Sequence, residues 1–559
     1  MKRNRFLLPQ IAAVLAFIGV LLSLAAPTQV TPVNGSAAIQ FSSATLAPAP
    51  GQTIDPDAAP SPTDVLVAAP IPEGASSLYL PLVIRNRHTL TPSPSPSRLP
   101  TRSPIPSSTP ARSPTPSPTP TGGGSPLPPP GGGSQEEWSQ HAHNAQRTGY
   151  TPQTVPSPWR WRWSWNGPNS SGGIAKVTTG GSLPRNVQPV TGGGRVYLAA
   201  GVDGVFALSE ATGQQLWQRS GIGDVRSTVA YDRDTGTVFA VSANGRLYQL
   251  RAQDGAIRAE FNAGQTSNLP LPPAVLDDRV LFSMGTAVYA VDKRTLQPLW
   301  RYDAGATVAV PPAYSPSRNV VIVATEPDLF VHAIHNSTGA QRWRVRPVHA
   351  SRNFSDPTEF RYGWPVIADG AGYALVRVRL EAGDNLHRIW PRTNNEMRQL
   401  LRTYPGEQVI FVLDLDDGNV PFIANVGNGG YGDSGYLPMG PQPVVKRLPD
   451  GKEVVYTVIR ARHEVYDPPW NSYFGEMVLD DTTVSGLQGG DVRFIRFDWP
   501  PGDPYPYLLT DEQPNVSMAG DYLFGGHWEA GFAARILDRS GARGSFSAKI
   551  TTQRLATIV

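Results

Sequence analysis

The best set of oxygen ligands in the sequence is the stretch Asp414-Leu415-Asp416-Asp417-Gly418. Alternating carboxylates ahead of a glycine suit Ca²⁺, which takes several oxygen ligands at about 2.3 to 2.6 Å. Counted from Asp414, the position where an EF-hand loop has its last Glu is Asn425. The stretch therefore predicts Asp414 and Asp416 as calcium ligands, with a plain Asp/Gly turn as the alternative.

A glycine-rich loop at 427–437 combines a flexible backbone with hydrogen-bonding and aromatic side chains. Loops on a rigid scaffold are common places for ligand binding. The loop lacks the strand-then-helix context of a phosphate-binding loop. It therefore predicts ligand-binding residues, with a long surface connection as the alternative; these residues are Asn428, Tyr431, Asp433 and Tyr436.

A second loop, 464–476, contains Tyr466, Trp470 and Tyr473, which could stack on sugar rings. Together with the inserted segment 380–405, these loops are predicted to form a binding rim on one face of the molecule. The segment 380–405 includes a predicted short helix over 394–401.

Signatures of catalysis are missing from the sequence. It has no cysteine, and no G-x-S-x-G, H-E-x-x-H or G-x-x-x-x-G-K-S/T motif. His141 and His143 lie close together, but no carboxylate pattern accompanies them, so they are expected to be surface or capping residues. A net charge of +3, from 48 basic and 45 acidic residues, does not favour nucleic-acid binding.

The elements that must position these loops recur along the chain. Each copy is an apolar strand, a turn with Thr/Asp-Gly, and an aromatic residue that closes the unit; the closing aromatics are Trp217, Phe261, Trp300 and Trp343. A period of about 40 to 45 residues is that of a four-stranded propeller blade. Residues 136–559 are therefore predicted to form an all-β propeller with seven or eight four-stranded blades.

Just before the first blade, Trp159, Trp161, Trp163 and Trp165 alternate with polar residues. Period-two alternation predicts a strand with one aromatic face. We expect this strand to seal the propeller, with its indoles between blades. An aromatic platform for a sugar or a base is the alternative.

The N-terminal quarter predicts export. Residues 1–26 have a basic start and an apolar run typical of a signal peptide, with an uncleaved membrane anchor as the alternative. Residues 27–88 form a low-complexity leader, and residues 89–135 a Pro/Ser/Thr/Gly-rich linker predicted to be a disordered stalk. The expected location is therefore secreted or at the cell surface.

The repeats resemble the PQQ-type β-propeller repeat, in which a strand like "VYALDA" leads to "TGxxxW". The matching stretches are 288–302, which holds Val288-Tyr289-Ala290-Val291-Asp292, and Thr212-Gly213 through Trp217. The segment from Trp138 to Pro152 is similar to the lead-in of the same superfamily. The resemblance implies that the repeat Trp docks between neighbouring blades.

This superfamily includes quinoprotein dehydrogenases and BamB-like scaffolds. The dehydrogenases hold PQQ under a ring of vicinal cysteines and bind Ca²⁺ through Glu and Asn; no segment here matches those residues. The sequence therefore predicts an exported, non-catalytic module that binds a protein or a glycan at the cell surface. The alternatives are a PQQ- and Ca²⁺-dependent dehydrogenase and a polysaccharide-active enzyme.

Overall fold

The computed structural model describes residues 137–154, 163, 165, 187–350, 358–360, 363–380, 393–426, 442–460, 472–498, 516–525, 531–538 and 543–551. The predicted signal peptide, leader and linker lie outside these residues and stay predictions. No helix within the described ranges has the length and apolar character needed to span a membrane.

The chain forms a seven-bladed β-propeller, which confirms the predicted fold and decides between seven and eight blades. Blade 1 consists of β2 Val190–Gly192, β3 Arg195–Ala199, β4 Val205–Ser209 and β5 Gln215–Arg219, and blade 2 of β6 Ala230–Asp232, β7 Thr237–Ser242, β8 Arg246–Arg251 and β9 Ile257–Asn262. Blade 3 consists of β10 Ala274–Val275, β11 Arg279–Met284, β12 Ala287–Asp292 and β13 Pro298–Asp303. Blade 4 consists of β14 Thr307–Val308, β15 Ala313–Ser315, β16 Val320–Glu326, β17 Val331–His335 and β18 Gln341–Val345.

Blades 5 to 7 are less regular. Their strands are β20 Val366–Ala368, β21 Tyr373–Arg377 and β23 Ile410–Asp414; β24 Val444–Arg447, β25 Glu453–Arg460, β26 Ser472–Val478 and β27 Val492–Asp498; and β28 Ser517–Ala519, β29 Tyr522–Gly525, β30 Gly531–Asp538 and β31 Arg543–Thr551. A two-stranded ribbon joins β19 Thr358–Glu359 to β22 Arg379–Leu380. The short strand β1, Tyr150–Thr151, pairs in parallel with β28.

The predicted helix within the insertion of blade 5 is confirmed as α1, Asn394–Thr403, followed by a single 3-10 turn at Pro405–Glu407. Thr393 caps it by accepting a hydrogen bond from the amide of Glu396. The side-chain amide of Asn394 pairs with both the N–H and the C=O of Val492, at 2.8 and 2.9 Å. Helix α1 is therefore held against blade 6.

Burial follows the position of each strand within its blade. The middle strands of blades 1 to 3, such as β7 and β11, are buried at nearly every residue because both of their faces pack against neighbouring blades. In the outer strands β5, β13 and β18, only the tryptophan is buried. The core is therefore a series of contacts between the sheets of neighbouring blades, and at the outer strands the buried contact is made by the tryptophan.

Each of four tryptophans docks on the turn that follows the third strand of a blade, and for Trp217, Trp300 and Trp343 this is the next blade along the chain. Its indole N–H donates to a backbone carbonyl three residues before a glycine of that turn, and the ring covers the glycine. The pairs are Trp163 with Glu210 and Gly213, Trp217 with Ala252 and Gly255, Trp300 with Asn336 and Gly339, and Trp343 with Leu415 and Gly418. Trp163 and Trp165, which packs on Phe206, both contact blade 1; that they lie between two blades stays a prediction. Trp159 and Trp161 lie outside the described residues.

The contact between blades 2 and 3 departs from this pattern. The position equivalent to the tryptophan is Ala259, and the position equivalent to the glycine is Leu296, which is buried with a left-handed φ of 56°. Both residues belong to one apolar cluster. The prediction that Phe261 closes this blade was wrong by two residues: Phe261 instead packs edge-on against Phe282 and Tyr289.

Candidate functional site

The antiparallel order of strands gives the propeller two distinct faces. Turns between the first and second strands, and between the third and fourth, lie on one side, which we call the turn face. Connections between the second and third strands, and those between successive blades, lie on the other side, which we call the loop face. Every long insertion in the repeat can therefore be assigned to a face from its flanking strands.

The insertions 378–409, 427–441 and 461–471 of blades 5 and 6 connect to the loop face, whereas 479–491, the connection between the third and fourth strands of blade 6, lies on the turn face. In blades 1 to 3 the second-to-third connections are short, spanning 200–204, 243–245 and 285–286. The corresponding connections in blades 5 and 6 span 378–409 and 461–471. Blades 5 and 6 are themselves joined through 427–441. Blades 5 and 6 therefore carry most of the irregular sequence, chiefly on the loop face and, at 479–491, on the turn face.

Most of the predicted ligand-binding residues fall in these insertions. Asn428, Tyr431, Asp433, Tyr436, Tyr466 and Trp470 lie outside the described residues, so their roles stay predictions. The backbone of Tyr473 lies in β26, opposite Ile459 of β25. The flanking strands bring the ends of both loops to the loop face, and the common rim itself stays a prediction.

The predicted calcium ligands lie on the other side, at the turn that follows β23, the third strand of blade 5, on the turn face. Asp414 accepts a hydrogen bond of 2.7 Å from the amide of Asp416. The carboxylate of Asp416 contacts the guanidinium of Arg342 at 2.5 Å and that of Arg318 at 3.8 Å. Within the described ranges, no group of three or more His, Asp or Glu side chains converges on a point. Calcium binding at Asp414 and Asp416 stays a prediction.

The axis of the propeller is occupied by residues 137–154, which we call the axial segment. It begins at the turn face, where Glu137 accepts a hydrogen bond from the amide of Gly193 and forms an ion pair with Arg233. It reaches the loop-face end at His141 and Ala142, whose partners Thr228 and Gln188 precede the first strands of blades 2 and 1. Left-handed residues at 142 and 143 then reverse the chain.

The second half of the axial segment returns to the turn face. The amide of Gly149 donates to the carbonyl of Ala142 at 3.0 Å, so the two halves run side by side. Thr151 accepts from the amide of Gly520, in the first turn of blade 7. Both ends of the axial segment therefore leave the propeller through the turn face, opposite the inserted loops.

The axial segment is hydrogen-bonded to all seven blades in chain order. In each blade the donor is the backbone N–H of the second residue of the innermost strand: Thr191, Tyr231, Val275, Tyr314, Ile367, Val445 and Met518. The acceptors, in the same order, are the carbonyls of Trp138 and Ser139, the side chain of Gln140, and the carbonyls of Ala145, Gln146, Thr148 and Gly149. The seven distances lie between 2.8 and 3.0 Å.

Two side chains of the axial segment add hydrogen bonds to those made by its backbone. The amide of Gln140 both accepts from the N–H of Val275 and donates to its C=O, as a neighbouring peptide unit would. Arg147 is fully buried and donates to carbonyls on the axial segment and on two blades; the acceptors are His141, Pro272, Pro273 and Pro312. Arg147 therefore ties the axial segment to blades 3 and 4 without any carboxylate partner.

Burial shifts the pKa values of the ionisable groups in the axial segment. Desolvation lowers the pKa of Arg147 to about 9 and that of His143 to about 4. Burial and then the charge of Arg147 hold the pKa of His141 well below its ordinary value. His141 packs edge-on against Trp364, with ring centroids 4.4 Å apart. The expectation that His141 is a surface or capping residue was therefore wrong.

The described part of the axis does not fit the PQQ and Ca²⁺ that the dehydrogenase alternative would need. The axial segment fills the space between the innermost strands, with Arg147, His141 and Trp138 all buried. The chain also has no cysteine with which to build a ring over a quinone. The arrangement is suited to packing a peptide rather than to seating a planar cofactor.

Sequence reasoning did not find Gln140 or Arg147, although Arg147-Thr148-Gly149 was part of the stretch that resembles the superfamily lead-in. Arg147 stands between the polar residues Gln146 and Thr148, a local pattern that does not predict burial. Its contacts with Pro272, Pro273 and Pro312 lie 125 to 165 residues away in the chain.

The fold and its docked tryptophans define a PQQ-like repeat β-propeller. A family model described as "Outer membrane protein assembly factor BamB" matches residues 159–258 and 203–356, which span Trp163, Trp165 and blades 1 to 4. No curated protein matches the chain.

Solved structures that are similar to the chain include a BamB and a quinohemoprotein alcohol dehydrogenase. BamB from Moraxella catarrhalis is 15% identical with a TM-score of 0.35, over 62% of this chain and 93% of that one. Quinohemoprotein alcohol dehydrogenase from Comamonas testosteroni is 14% identical with a TM-score of 0.44, over 75% of this chain and 73% of that one.

Proposed function

We propose that this protein is an exported, non-catalytic propeller that acts as a binding or scaffold module at the cell surface. The observation that carries the proposal is the opposition of its two faces. The axial segment leaves through the turn face, as Glu137 and Thr151 show by their contacts with first-to-second turns. The inserted segments 378–409, 427–441 and 461–471 connect to the loop face, and the connection 479–491 of blade 6 lies on the turn face. A chain held by its N-terminal linker would therefore present the three loop-face insertions outward.

The proposed ligand is a protein or a glycan that contacts the loop face. Tyr466, Trp470 and Tyr473 supply aromatic surface for stacking, and Asn428 and Asp433 supply hydrogen-bonding groups. Insertions on a rigid scaffold can vary without altering the packing of the blades. The match to the BamB-like family model supports a scaffold role, because that family is named for an assembly factor.

The test is binding of the purified chain to immobilised glycans and, separately, photo-crosslinking to surface proteins from a reactive residue placed at Tyr431. We expect one of the two ligand classes to bind, and the combined variant Tyr466→Ala, Trp470→Ala, Tyr473→Ala to lose at least tenfold in affinity. The matched control combines Leu216→Ala with Leu299→Ala, two exposed apolar residues on outer strands. Failure to bind either class, or equal loss in both variants, would contradict the proposal.

The dehydrogenase alternative has its own measurement. A thermal-shift titration with PQQ, with and without Ca²⁺, would give a saturable rise in Tm if the cofactor bound the native state. Dye reduction with an alcohol or a sugar would then establish the activity. The weaker polysaccharide-active alternative would appear as release of reducing ends from glycans.

A further inference from the structure

The seven blades bind the axial segment through backbone hydrogen bonds, as the edge of a sheet binds an added strand. Each blade offers one backbone N–H from the same position of its innermost strand, and consecutive blades are satisfied by successive parts of one peptide. Main-chain hydrogen bonds of this kind supply affinity in peptide recognition, and side-chain contacts supply the specificity. The axis thus has the first of these two properties.

The second property comes from three positions of the axial segment. Gln140 replaces a peptide unit opposite Val275, and a shorter or longer side chain would not place its amide there. Arg147 reaches acceptors on blades 3 and 4. Gly149 has a φ of 65°, and a Cβ there would lie 3.2 Å from Val444. These contacts select a sequence and its register.

The axial segment is joined to the blades by non-covalent contacts, including the parallel pairing of Tyr150–Thr151 with β28. It enters and leaves through the turn face, and its last described residues, Gln153 and Thr154, lie beside Gly520 in a turn on that face. A cut after Thr154 would therefore break none of the strands that the described residues assign to blades 1 to 7.

We propose that the axis is a sequence-selective peptide-binding site, which residues 137–151 of the same chain fill. Its ligand is a reversing peptide with Gln, Arg and Gly at the spacing of 140, 147 and 149. The inference rests on the hydrogen bonds at the axis and is independent of what the loop face binds. The site recognises the axial segment as a ligand, so that covalent continuity is not what keeps it in place.

The test uses the full chain with a site-specific protease sequence inserted after Thr154. After cleavage under native conditions, the N-terminal fragment is expected to migrate with the propeller in size-exclusion chromatography, and intact mass spectrometry verifies the cut. Departure of the fragment at micromolar concentration would overturn the proposal, whether or not the remainder stays folded.

Specificity is measured by exchange into the cleaved protein of labelled synthetic peptides that span 136–154. We expect the native peptide to be incorporated and an Arg147→Met peptide to be incorporated at least tenfold less. The matched control is a Ser139→Ala peptide, because Ser139 contributes its backbone carbonyl to Tyr231. Equal incorporation of the Arg147→Met and native peptides would overturn the proposal, as would failure of the native peptide to exchange at any concentration or temperature below unfolding.

Discussion

The side-chain amide of Gln249 donates a hydrogen bond of 2.8 Å to the carbonyl oxygen of Lys293. Lys293 lies three residues before Leu296, so its carbonyl is the one that an indole N–H reaches at the regular contacts. Gln249 pairs across the strands with Ala259, whereas Ala290 and Ala333 pair with Trp300 and Trp343. At this interface three residues differ from the regular contacts. Ala259 stands where the tryptophan would be, Gln249 supplies the hydrogen bond that the indole would donate, and Leu296 fills the volume of the indole.

Restoring the tryptophan alone should therefore be harmful. We expect Ala259→Trp to destabilise the propeller by about 1 to 3 kcal/mol, because the indole would meet the Leu296 side chain. Adding Leu296→Gly and Gln249→Ala should recover most of that loss, with a coupling energy of about 0.5 to 3 kcal/mol. The measurement is a denaturant-unfolding cycle over the single and combined variants. Strict additivity would show that the three positions are not a unit.

The contact between Trp300 and Gly339 permits a sharper comparison. A Cβ on Gly339 would lie 2.9 Å from three atoms of Trp300, whereas one on Gly305 would meet nothing within 4 Å. Their φ values are similar, 73° and 79°. Gly305→Ala should cost about 1 to 2 kcal/mol for the left-handed backbone, and Gly339→Ala about 1 to 3 kcal/mol more for the clash. Equal losses in thermal or denaturant unfolding would mean that the indole moves aside at no cost.

Arg147 is expected to be the most sensitive single residue of the axial segment. Arg147→Met removes the donors from buried carbonyls, each of which costs about 1 to 3 kcal/mol when unsatisfied. The expected loss of unfolding free energy is therefore on the order of 3 kcal/mol or more. The control is Arg258→Met, since the exposed Arg258 donates to a single carbonyl, that of Thr235. Its effect should stay within about 0.5 kcal/mol. Similar losses in both variants would place the cost in the arginine stem rather than in its buried hydrogen bonds.

Stability should fall on mild acidification because of buried neutral histidines. His332 is fully buried between Tyr302 and Thr325, and desolvation, then the charge of Arg344, lower its pKa to about 4. The unfolded chain binds a proton below an ordinary pKa of about 6.5, but the native state does not until pH is near 4. The stabilisation is therefore fully present above that ordinary value and is lost as pH falls toward 4.

The measurement is the free energy of unfolding as a function of pH, from about 7.5 to about 4.5, for the native chain and for His332→Gln. We expect His332→Gln to be less stable than the native chain at neutral pH. Its stability should also fall less on acidification, by up to about 1.4 kcal/mol for each unit by which the pKa of His332 is lowered in the native chain. The exposed His349, changed to Gln, serves as the control. An unchanged slope in His332→Gln would contradict the assignment.

The propeller was predictable from sequence because its signal is local. The strand, the turn glycine and the tryptophan of one copy lie within about 15 residues, and their repetition gives the period. Phe261 was misassigned because aromaticity was taken as the mark of the docked position, and Ala259 carries no such mark. The register of Ala259 with Gln249 is a cross-strand property that spacing alone does not reveal.

The axial segment was not predictable for a different reason. Its contacts join residues 138–149 to strands spread from Thr191 to Met518, and most of them use backbone atoms. A carbonyl acceptor leaves no trace in the choice of side chain. The ligand-binding rim at 427–437 and 464–476 was proposed from loop composition, and only the placement of its flanking strands is now described.

Repeat propellers resemble linear arrays, in which each unit interacts with its two neighbours and stability is nearly a sum of local terms. The axial segment couples the blades, because one short segment is hydrogen-bonded to all seven of them. Loss of its contact with one innermost strand should therefore weaken its contacts with the other six. The ring should therefore melt in a single transition, without the partly frayed states that open arrays populate.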